Sequence, residues 1–239
     1  MRIDREARAV HCNDGAIVHY KRLLLATGSR VRRFAGEVDA GVAVLYVRTV
    51  ADAKALQAVL EPGRRVAVLG GGFIWLEVAA SATLRGCKVT VLDLAGRLLL
   101  RSMPCVVGEF LRALHARRGV DVRLNTMPIA LRSTEGKTTI ETDRGKIEAD
   151  IIVISIGVLP NVELADQAGL EVDKGIVVDQ HCRTSDRNAY AAGEVPMHFK
   201  PMLGNRLRVE SWQIAENQPA IAAANMASGD QSYSEIPWL

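Results

Sequence analysis

Residues 65–93, RVAVLGGGFIWLEVAASATLRGCKVTVLD, contain the pattern that decides the fold. A β-branched run is followed by Gly70, Gly71 and Gly72, and then by an apolar stretch of helical length. A second β-branched run ends in Asp93. The order of strand, glycine turn, helix and strand is typical of a site that holds a dinucleotide.

Each residue type in this turn has a physical role. Gly70 allows the tight turn, and Gly72 lets the backbone and the helix N-terminus approach a pyrophosphate. Asp93 can accept hydrogen bonds from the adenine-ribose diol, which favours NAD over NADP. Trp75 stands where the third glycine of the pattern is expected, so we expect either an outward shift of the helix or an indole that fills a gap beside the cofactor. An ordinary glycine turn in a parallel α/β protein is the alternative interpretation.

Composition places the chain among globular proteins. Its 239 residues are 49% hydrophobic and 24% charged, and the length fits one large domain or two modest ones. A net charge of +3, with both signs interspersed, argues against a nucleic-acid partner. The longest apolar stretches contain Gly and Glu and are too short to cross a membrane, and the first residues carry charges of both signs. We therefore expect a cytoplasmic protein.

The cysteines give no sign of redox or metal chemistry. They form no C-x-x-C pair, so we expect free structural thiols. Two His-Cys neighbours occur, but adjacent residues on a strand point to opposite faces and rarely bind one metal ion. The residues concerned are Cys12, Cys87, Cys105 and Cys182, with His11 and His181 as the neighbours.

Hydrophobic periodicity predicts alternating strands and helices, which is typical of a parallel sheet. Residues 129–155 switch to period two and predict a β-meander before the buried run that ends the segment. The fold class is therefore α/β, with a Rossmann-like NAD-binding domain of parallel sheet plus meander. The predicted strands are 23–26, 65–69, 88–93, 120–124, 151–155, 175–178 and 189–192, and the predicted helices are 51–60, 73–85, 106–118, 162–168 and 213–226.

Residues 8–36 cannot form a core of their own. They contain a hairpin with an Asn13-Asp14-Gly15 turn and one apolar strand, which is too little for independent stability. They must pack on a sheet supplied by a later part of the chain. The sequence therefore predicts that the Rossmann-like domain is inserted in a partial, discontinuous domain.

Several motifs in order along the chain carry a resemblance to a family. They resemble the FAD-dependent pyridine nucleotide-disulfide oxidoreductases, specifically the ferredoxin and rubredoxin reductases of multicomponent oxygenase systems. The motifs are YKRLLLATGSR at 20–30, RVAVLGGGFIWLE at 65–77, VTVLD at 89–93, ADIIVISIGVLPN at 149–161, AYAAGEV at 189–195 and RVESWQ at 208–213.

The resemblance implies a set of residues beside FAD. Thr27 and Gly28 would form a turn next to the cofactor, and Gly193 with Glu194 would correspond to a Gly-Asp pair that engages the phosphate-ribityl region. The glutamate preserves the charge but moves the oxygens by about a bond length, and a solvated side chain is the alternative. Trp212 would lie near the flavin ring, or would serve instead as an interfacial aromatic anchor.

The resemblance also implies contacts for NAD beyond the turn. Phe73 would act as a gate over the flavin, and Glu77 as a polar contact for the carboxamide on the same helix face. A core phenylalanine with a solvated glutamate is the alternative. Ile74 joins the cofactor-binding set, and Gly157 lies at the crossover where the chain leaves the NAD domain. No catalytic side chain and no metal ligand are implied.

The implied function is hydride transfer from NADH to FAD and electron transfer to an iron–sulfur protein of ferredoxin or rubredoxin type. The upstream FAD loop and the last domain of the family are not recognised, so we expect a truncated chain. The expected domains are 1–45 and 159–239 for FAD and 46–158 for NAD(H). A non-catalytic dinucleotide-binding module, or inactive fragment, is the alternative. A relative of disulfide reductases or NADH oxidases also stays open.

Overall fold

The computed structural model describes residues 1–134 and 137–234. The chain forms two compact units. The central unit comprises Val31–Val158, and the split unit comprises Met1–Arg30 with the described residues from Leu159 onward. Each unit has its own buried apolar clusters.

Strands and helices alternate over residues 44–123, as the pattern predicts, whereas several strands before and after that segment follow one another without a helix between them. The strands are β1 (Arg2–Asp4), β2 (Ala9–His11), β3 (Ile17–His19), β4 (Leu23–Leu25), β5 (Ser29–Val31), β6 (Glu37–Val38), β7 (Val44–Tyr46), β8 (Arg65–Leu69), β9 (Lys88–Leu92), β10 (Asp121–Arg123), β11 (Pro128–Thr134), β12 (Lys137–Thr142), β13 (Gly145–Ala149), β14 (Ile151–Ile154), β15 (Val158–Pro160), β16 (Ile176–Val178), β17 (Ala189–Ala191), β18 (Pro196–Lys200) and β19 (Asn205–Leu207). The helices are α1 (Val50–Val59), α2 (Phe73–Leu84), α3 (Cys105–Arg117), α4 (Glu163–Gln167) and α5 (Trp212–Met226), with a 3₁₀ turn at Pro201–Leu203.

A parallel five-stranded sheet forms the middle of the central unit, in the order β10-β9-β8-β14-β7. From Val66 onward in β8, and throughout β14, successive residues are apolar and buried because both faces of the sheet are covered there. In β8, Val66 and Val68 pack into a cluster with residues of α1 and α2. Ala67 and Leu69 pack into a second cluster. This arrangement confirms the Rossmann-like part of the predicted fold class.

The second cluster joins the sheet to the predicted β-meander. Strands β11, β12 and β13 pair antiparallel, and Leu131, Ile140 and Ile147 are buried against the sheet residues Leu69 and Ile152. The predicted turn at 135–136 lies outside the described residues. The meander thus covers one face of the parallel sheet and completes the predicted mixed architecture.

The split unit is built from both ends of the chain. Strand β4 pairs in parallel with β17, with Leu23 opposite Ala189 and Leu25 opposite Ala191. Strands β1, β2 and β3 form an antiparallel sheet. Strands β16, β18 and β19 form a mixed sheet, in which β16 pairs with β18 in parallel and β18 pairs with β19 antiparallel. The early segment therefore packs on strands supplied much later in the sequence, as its small size requires.

The central unit begins at Val31, whereas the expected NAD domain begins at residue 46. Residues 31–45 join this unit because β6 pairs with β11 and β7 pairs in parallel with β14. Two-residue and three-residue strands give little signal in a sequence, so this boundary is hard to predict. The assignment of the units to NAD and FAD stays a prediction.

No helix within the described residues is long and apolar enough to cross a membrane. The four cysteines are free. Within the same residues there is no group of three or more His, Cys, Asp or Glu side chains that could hold a metal ion.

Candidate cofactor-binding sites

The glycine turn of the central unit connects β8 to α2. At Gly70 the backbone has a φ of +124°, and an added β-carbon would lie 2.1 Å from the carbonyl oxygen of Ser155. The Gly70 amide donates to the carbonyl of Leu92 at 2.8 Å, which joins the turn to the end of β9. A side chain at position 70 is therefore excluded both by backbone strain and by the Ser155 backbone directly after β14.

Gly71 and Asp93 occupy one small space. A β-carbon at residue 71 would lie 1.3 Å from Oδ2 of Asp93, so the carboxylate takes the room that a side chain would need. The other oxygen, Oδ1, accepts a hydrogen bond from the Ala95 amide at 3.0 Å. Asp93 is half-buried at the end of β9, directly against the turn. The glycine turn and the acidic residue after the second strand, which the sequence pattern combines, are thus neighbours in space.

Gly72 leaves the start of α2 open. It is the N-cap residue, it makes no side-chain capping bond, and a β-carbon there would have no neighbour within 4 Å. The first amides of a helix have no partner inside the helix and carry a partial positive charge. The turn therefore offers free amide donors next to a fixed carboxylate, which suits a pyrophosphate and an adjoining ribose diol.

Some side chains at the start of α2 are exposed, whereas their neighbours Trp75 and Leu76 are buried. Phe73 and Ile74 are 40% and 42% exposed, and Glu77 lies exposed one turn later on the same side as Phe73. Phe73 is therefore no core residue, contrary to the alternative interpretation of this position. These exposed groups are available to a ligand, and their contacts with NAD stay a prediction.

Trp75 points into the core of the central unit. It is fully buried, and its ring centroid lies 5.9 Å from that of His115 on α3. Burial lowers the pKa of His115, which favours the neutral form of this neighbour. The indole Nε1 has no hydrogen-bond partner in the part of the chain that the structure describes. The indole is thus accommodated among core side chains, which the two sequence expectations did not anticipate.

Gly157 lies beyond the end of β14. Its φ is +94°, and its carbonyl accepts a hydrogen bond from the Arg32 amide at 2.9 Å. The residue is exposed, and a β-carbon there would have open space. Backbone conformation therefore explains this glycine, and its contact with a cofactor stays a prediction.

In the split unit, the predicted FAD residues follow two adjacent strands. Thr27 and Gly28 come after β4, and Gly193 and Glu194 come after β17, which pairs with β4 in parallel. The carboxyl ends of neighbouring parallel strands form the edge where α/β proteins bind ligands. The structure thus brings these four residues to one edge.

Asn161 fixes the Thr27 turn. Its side-chain amide donates to the Thr27 carbonyl at 2.7 Å, and the Thr27 hydroxyl donates to the Asn161 carbonyl at 2.6 Å. The Asn161 amide donates to the carbonyl of Gly28 at 2.9 Å, and Arg30 donates to the Asn161 side-chain oxygen at 2.7 Å. The sequence motif contains Asn161, but its pattern gives no sign of this reciprocal pairing.

Gly193 is held by a residue that sequence reasoning missed. Oε1 of Gln218 on α5 accepts the Gly193 amide at 3.0 Å. Gln218 is 1% exposed, and its Nε2 has no hydrogen-bond partner among the described residues. A buried amide with an unused donor suits a polar ligand at this edge. Glu194 beside it is half-buried.

Trp212 is the first residue of α5 and is 75% exposed. The N-cap is Ser211, whose hydroxyl accepts the Ile214 amide at 3.3 Å. An exposed indole at a helix start is open to a ligand or to another protein surface, so both sequence interpretations of Trp212 stay predictions. The predicted NAD residues all lie in the central unit, and the predicted FAD residues all lie in the split unit.

The family model described as pyridine nucleotide-disulphide oxidoreductase matches residues 1–219. The chain belongs to this family. It is 60% identical over 238 residues to the ferredoxin–NAD(+) reductase component of an anthranilate 1,2-dioxygenase system from Burkholderia cepacia, a match that covers 99% of this chain and 59% of the relative. It is also 36% identical over 227 residues to the rubredoxin–NAD(+) reductase of Pseudomonas putida, with 94% and 59% covered.

Solved structures agree with this membership. The ferredoxin reductase for the CYP199A2 system of Rhodopseudomonas palustris matches with a TM-score of 0.95 and 32% identity, over all of this chain and 59% of that one. A putidaredoxin reductase–putidaredoxin complex matches with a TM-score of 0.92 and 34% identity, over 100% and 59%. The predicted resemblance and fold class are confirmed. The chain spans about 59% of the length of these relatives.

The three glycines of the turn should respond differently to alanine. Gly70→Ala should lower the free energy of unfolding by about 2 kcal/mol, because the positive φ and the Ser155 carbonyl both oppose a β-carbon. Gly72→Ala should lower it by no more than about 1 kcal/mol, because its β-carbon meets nothing and only the poorer N-cap preference of alanine opposes it. Urea unfolding followed by circular dichroism measures both, and equal losses would contradict this account of the turn.

Asp93 should destabilise the fold at neutral pH. Burial raises the pKa of its carboxyl, while the Ala95 amide and the charge of Arg101 oppose the rise. A carboxyl with a folded-state pKa above its unfolded value contributes stability below the unfolded pKa and loses it as the pH rises through the folded pKa. Asp93→Asn should therefore raise Tm at pH 7, and the gain should shrink below about pH 4.

Asp14→Asn is the matched control for this measurement. Asp14 also accepts the amide two residues on, at 3.1 Å from Ala16, but it is exposed. Its substitution should leave Tm nearly unchanged at both pH values. A Tm gain for Asp93→Asn that is the same at pH 7 and in acid would show that ionisation of Asp93 is not the cause.

Proposed function

We propose that this chain is the NAD(H)-binding portion of a flavoprotein reductase, which passes hydride from NADH to FAD and electrons to an iron–sulfur protein. The observation that carries the proposal is the carboxylate of Asp93, fixed against Gly71 beside the uncapped start of α2. Free amides and a carboxylate in this arrangement match the pyrophosphate and the ribose diol of NADH.

The residues of the central unit would bind and orient NADH. The amides at the start of α2 would donate to the pyrophosphate, and Asp93 would accept from the adenine-ribose hydroxyls. Phe73 and Glu77 share an exposed face of α2 and would contact the nicotinamide end. Hydride transfer needs no protein acid, base or nucleophile, so orientation and exclusion of water are the contributions expected of these side chains.

The split unit would hold FAD. Thr27, Gly28, Gly193 and Glu194 lie at one strand edge, and the unused Nε2 of Gln218 supplies a buried donor beside Gly193. These features fit part of an FAD site. When bound, FAD would accept hydride from NADH and pass electrons on singly. This chain would contribute polar backbone groups at the strand edge to the FAD site. The Asn161 hydrogen bonds fix the backbone there at Thr27.

The electron acceptor that we propose is of ferredoxin or rubredoxin type. This rests on relatives named as ferredoxin–NAD(+) and rubredoxin–NAD(+) reductases, and on the solved complex of a reductase with putidaredoxin. Because these relatives are named as reductases, the comparison favours a reductase over a non-catalytic dinucleotide-binding module. The cytoplasmic location expected from the sequence stays a prediction.

A two-part titration tests the proposal. The purified chain is titrated with NADH by fluorescence, and is separately incubated with FAD, desalted and scanned for flavin absorbance before and after NADH. We expect saturable NADH binding and a bound flavin that bleaches on NADH addition. NADH binding by a protein that retains no flavin would favour the non-catalytic module, and failure to bind NADH would refute the proposal.

Gly72→Ala tests whether NADH binds at the start of α2. Its β-carbon would enter the open space above the first amides of α2 without touching the rest of the protein. It should therefore fold like the parent but bind NADH at least about tenfold more weakly, since hydrogen bonds to a charged group contribute about 1.5–3 kcal/mol each. Unchanged NADH affinity would place the nucleotide elsewhere.

A further inference from the structure

Trp75 joins the glycine turn to the core of the central unit. It is the third residue of α2, so its backbone amide is one of the first amides that have no partner inside the helix. Its indole is fully buried and belongs to one apolar cluster with Val68 of β8 and Val91 of β9. The same residue therefore supplies a free donor of the turn and is anchored by its side chain in the core.

The indole also connects α2 with α3. Its ring centroid lies 5.9 Å from that of His115, and the two rings are tilted by 45°. The indole Nε1 has no hydrogen-bond partner among the described residues, and a buried donor without a partner is unfavourable. Within that part of the chain the indole is therefore held at this place by packing and not by a hydrogen bond.

A second connection between the start of α2 and α3 runs through the loop after β9. The Leu99 amide donates to the carbonyl of Gly71 at 3.1 Å. A β-carbon at Gly108 of α3 would lie 2.6 Å from the carbonyl oxygen of Leu98, so the helix and the loop are in close contact there. The start of α2, the loop and α3 thus form a closed ring of contacts, which the contact between the indole and the imidazole completes.

The size of the Trp75 side chain matters because of its position. In the usual pattern a glycine at this place lets the helix pack close to the strand. Here an indole fills the space, and protein interiors are close-packed, so its loss would leave a cavity or draw its neighbours inward. The first turn of α2 is the part that would move, because Gly72 provides no side-chain cap to hold it.

We propose that Trp75 is a positioning residue for the dinucleotide: its buried indole holds the first amides of α2 at the place where they bind the pyrophosphate. The proposal rests on the proposed function, since it assumes that NADH binds at the glycine turn. Leu98 and Leu99 of the loop and Leu111 of α3 belong to the same cluster as the indole. A glycine at position 75 would therefore leave the turn without its support, although it would restore the usual sequence pattern.

The test measures NADH binding by the full chain through the fluorescence of NADH itself, because removal of an indole changes the emission of the protein. Trp75→Leu should bind NADH at least about tenfold more weakly than the parent, since displaced amides lose hydrogen bonds to a charged group. Trp75→Gly should weaken NADH binding as well. Trp75→Phe keeps an aromatic ring in the core, so it should retain the NADH affinity within about threefold.

Leu131→Ala is the matched control, because Leu131 is fully buried in the separate cluster between the parallel sheet and the meander. It should lower Tm, as Trp75→Leu does, but should change NADH affinity by less than about twofold when both variants are measured below their Tm. Equal losses of NADH affinity in the two variants, or the parent affinity in folded Trp75→Leu, would overturn the inference alone. A parent chain that binds no NADH would instead overturn the proposed function.

His115→Ala reaches the same contact from α3, and it decides the question if circular dichroism shows that Trp75→Leu does not fold. The substitution removes the ring that packs against the indole, so it should weaken NADH binding by about threefold. Unchanged NADH affinity in folded His115→Ala would contradict the assigned role. Tighter NADH binding by Trp75→Gly would also contradict it, because the indole would then obstruct the turn.

Discussion

The contact between Gly71 and the Asp93 carboxylate is the constraint on which the dinucleotide site depends. A side chain at position 71 and a carboxylate at the end of β9 cannot share the same space, since a β-carbon there would lie 1.3 Å from Oδ2. The glycine therefore lets the second strand end directly against the first turn. The Leu99 amide also donates to the Gly71 carbonyl, so the loop after β9 takes its position from the same residue.

The features that suit a ligand are unfavourable for the empty protein. Asp93 is half-buried with a raised carboxyl pKa, α2 begins without a side-chain cap, and Phe73 is exposed. A glycine N-cap costs only about a few tenths of a kcal/mol relative to a capping side chain, so the missing cap at Gly72 is a small loss. A ligand that forms hydrogen bonds with the free amides and the carboxylate would offset these unfavourable contributions to stability. Sites of function are commonly where local rules of stability are broken.

Much of the fold could be predicted because its signals are local. The strand at 65–69, the turn at 70–72 and the helix that begins at Phe73 follow from β-branched runs, glycine and helical periodicity within one segment. A lone hairpin and strand cannot stand alone, so the packing of the first segment on a later part of the chain could be predicted, although its partner strand β17 could not. The family motifs predicted in addition which segments of the chain carry the NAD site and which carry the FAD site.

Other features depend on tertiary contacts that leave no pattern. One example is the hydrogen bond from the Leu99 amide to the Gly71 carbonyl. Another is the pair of hydrogen bonds between Asn161 and Thr27. Neither pair of residues is related by a sequence periodicity. The direction of the Trp75 side chain could not be predicted either, because an indole at the third glycine position can turn toward solvent, ligand or core. In the structure it lies in the core and packs with His115. The start of the central unit at Val31 depends on two very short strands.

Amide hydrogen exchange with and without NADH tests the central claim most directly, because it reports the place of binding residue by residue. The uncapped amides at the start of α2 exchange readily unless a ligand accepts their hydrogen bonds. The account predicts that NADH slows exchange at residues 73–75, with a smaller effect in the loop after Asp93. Saturable NADH binding that leaves these amides unprotected, and protects others instead, would contradict it.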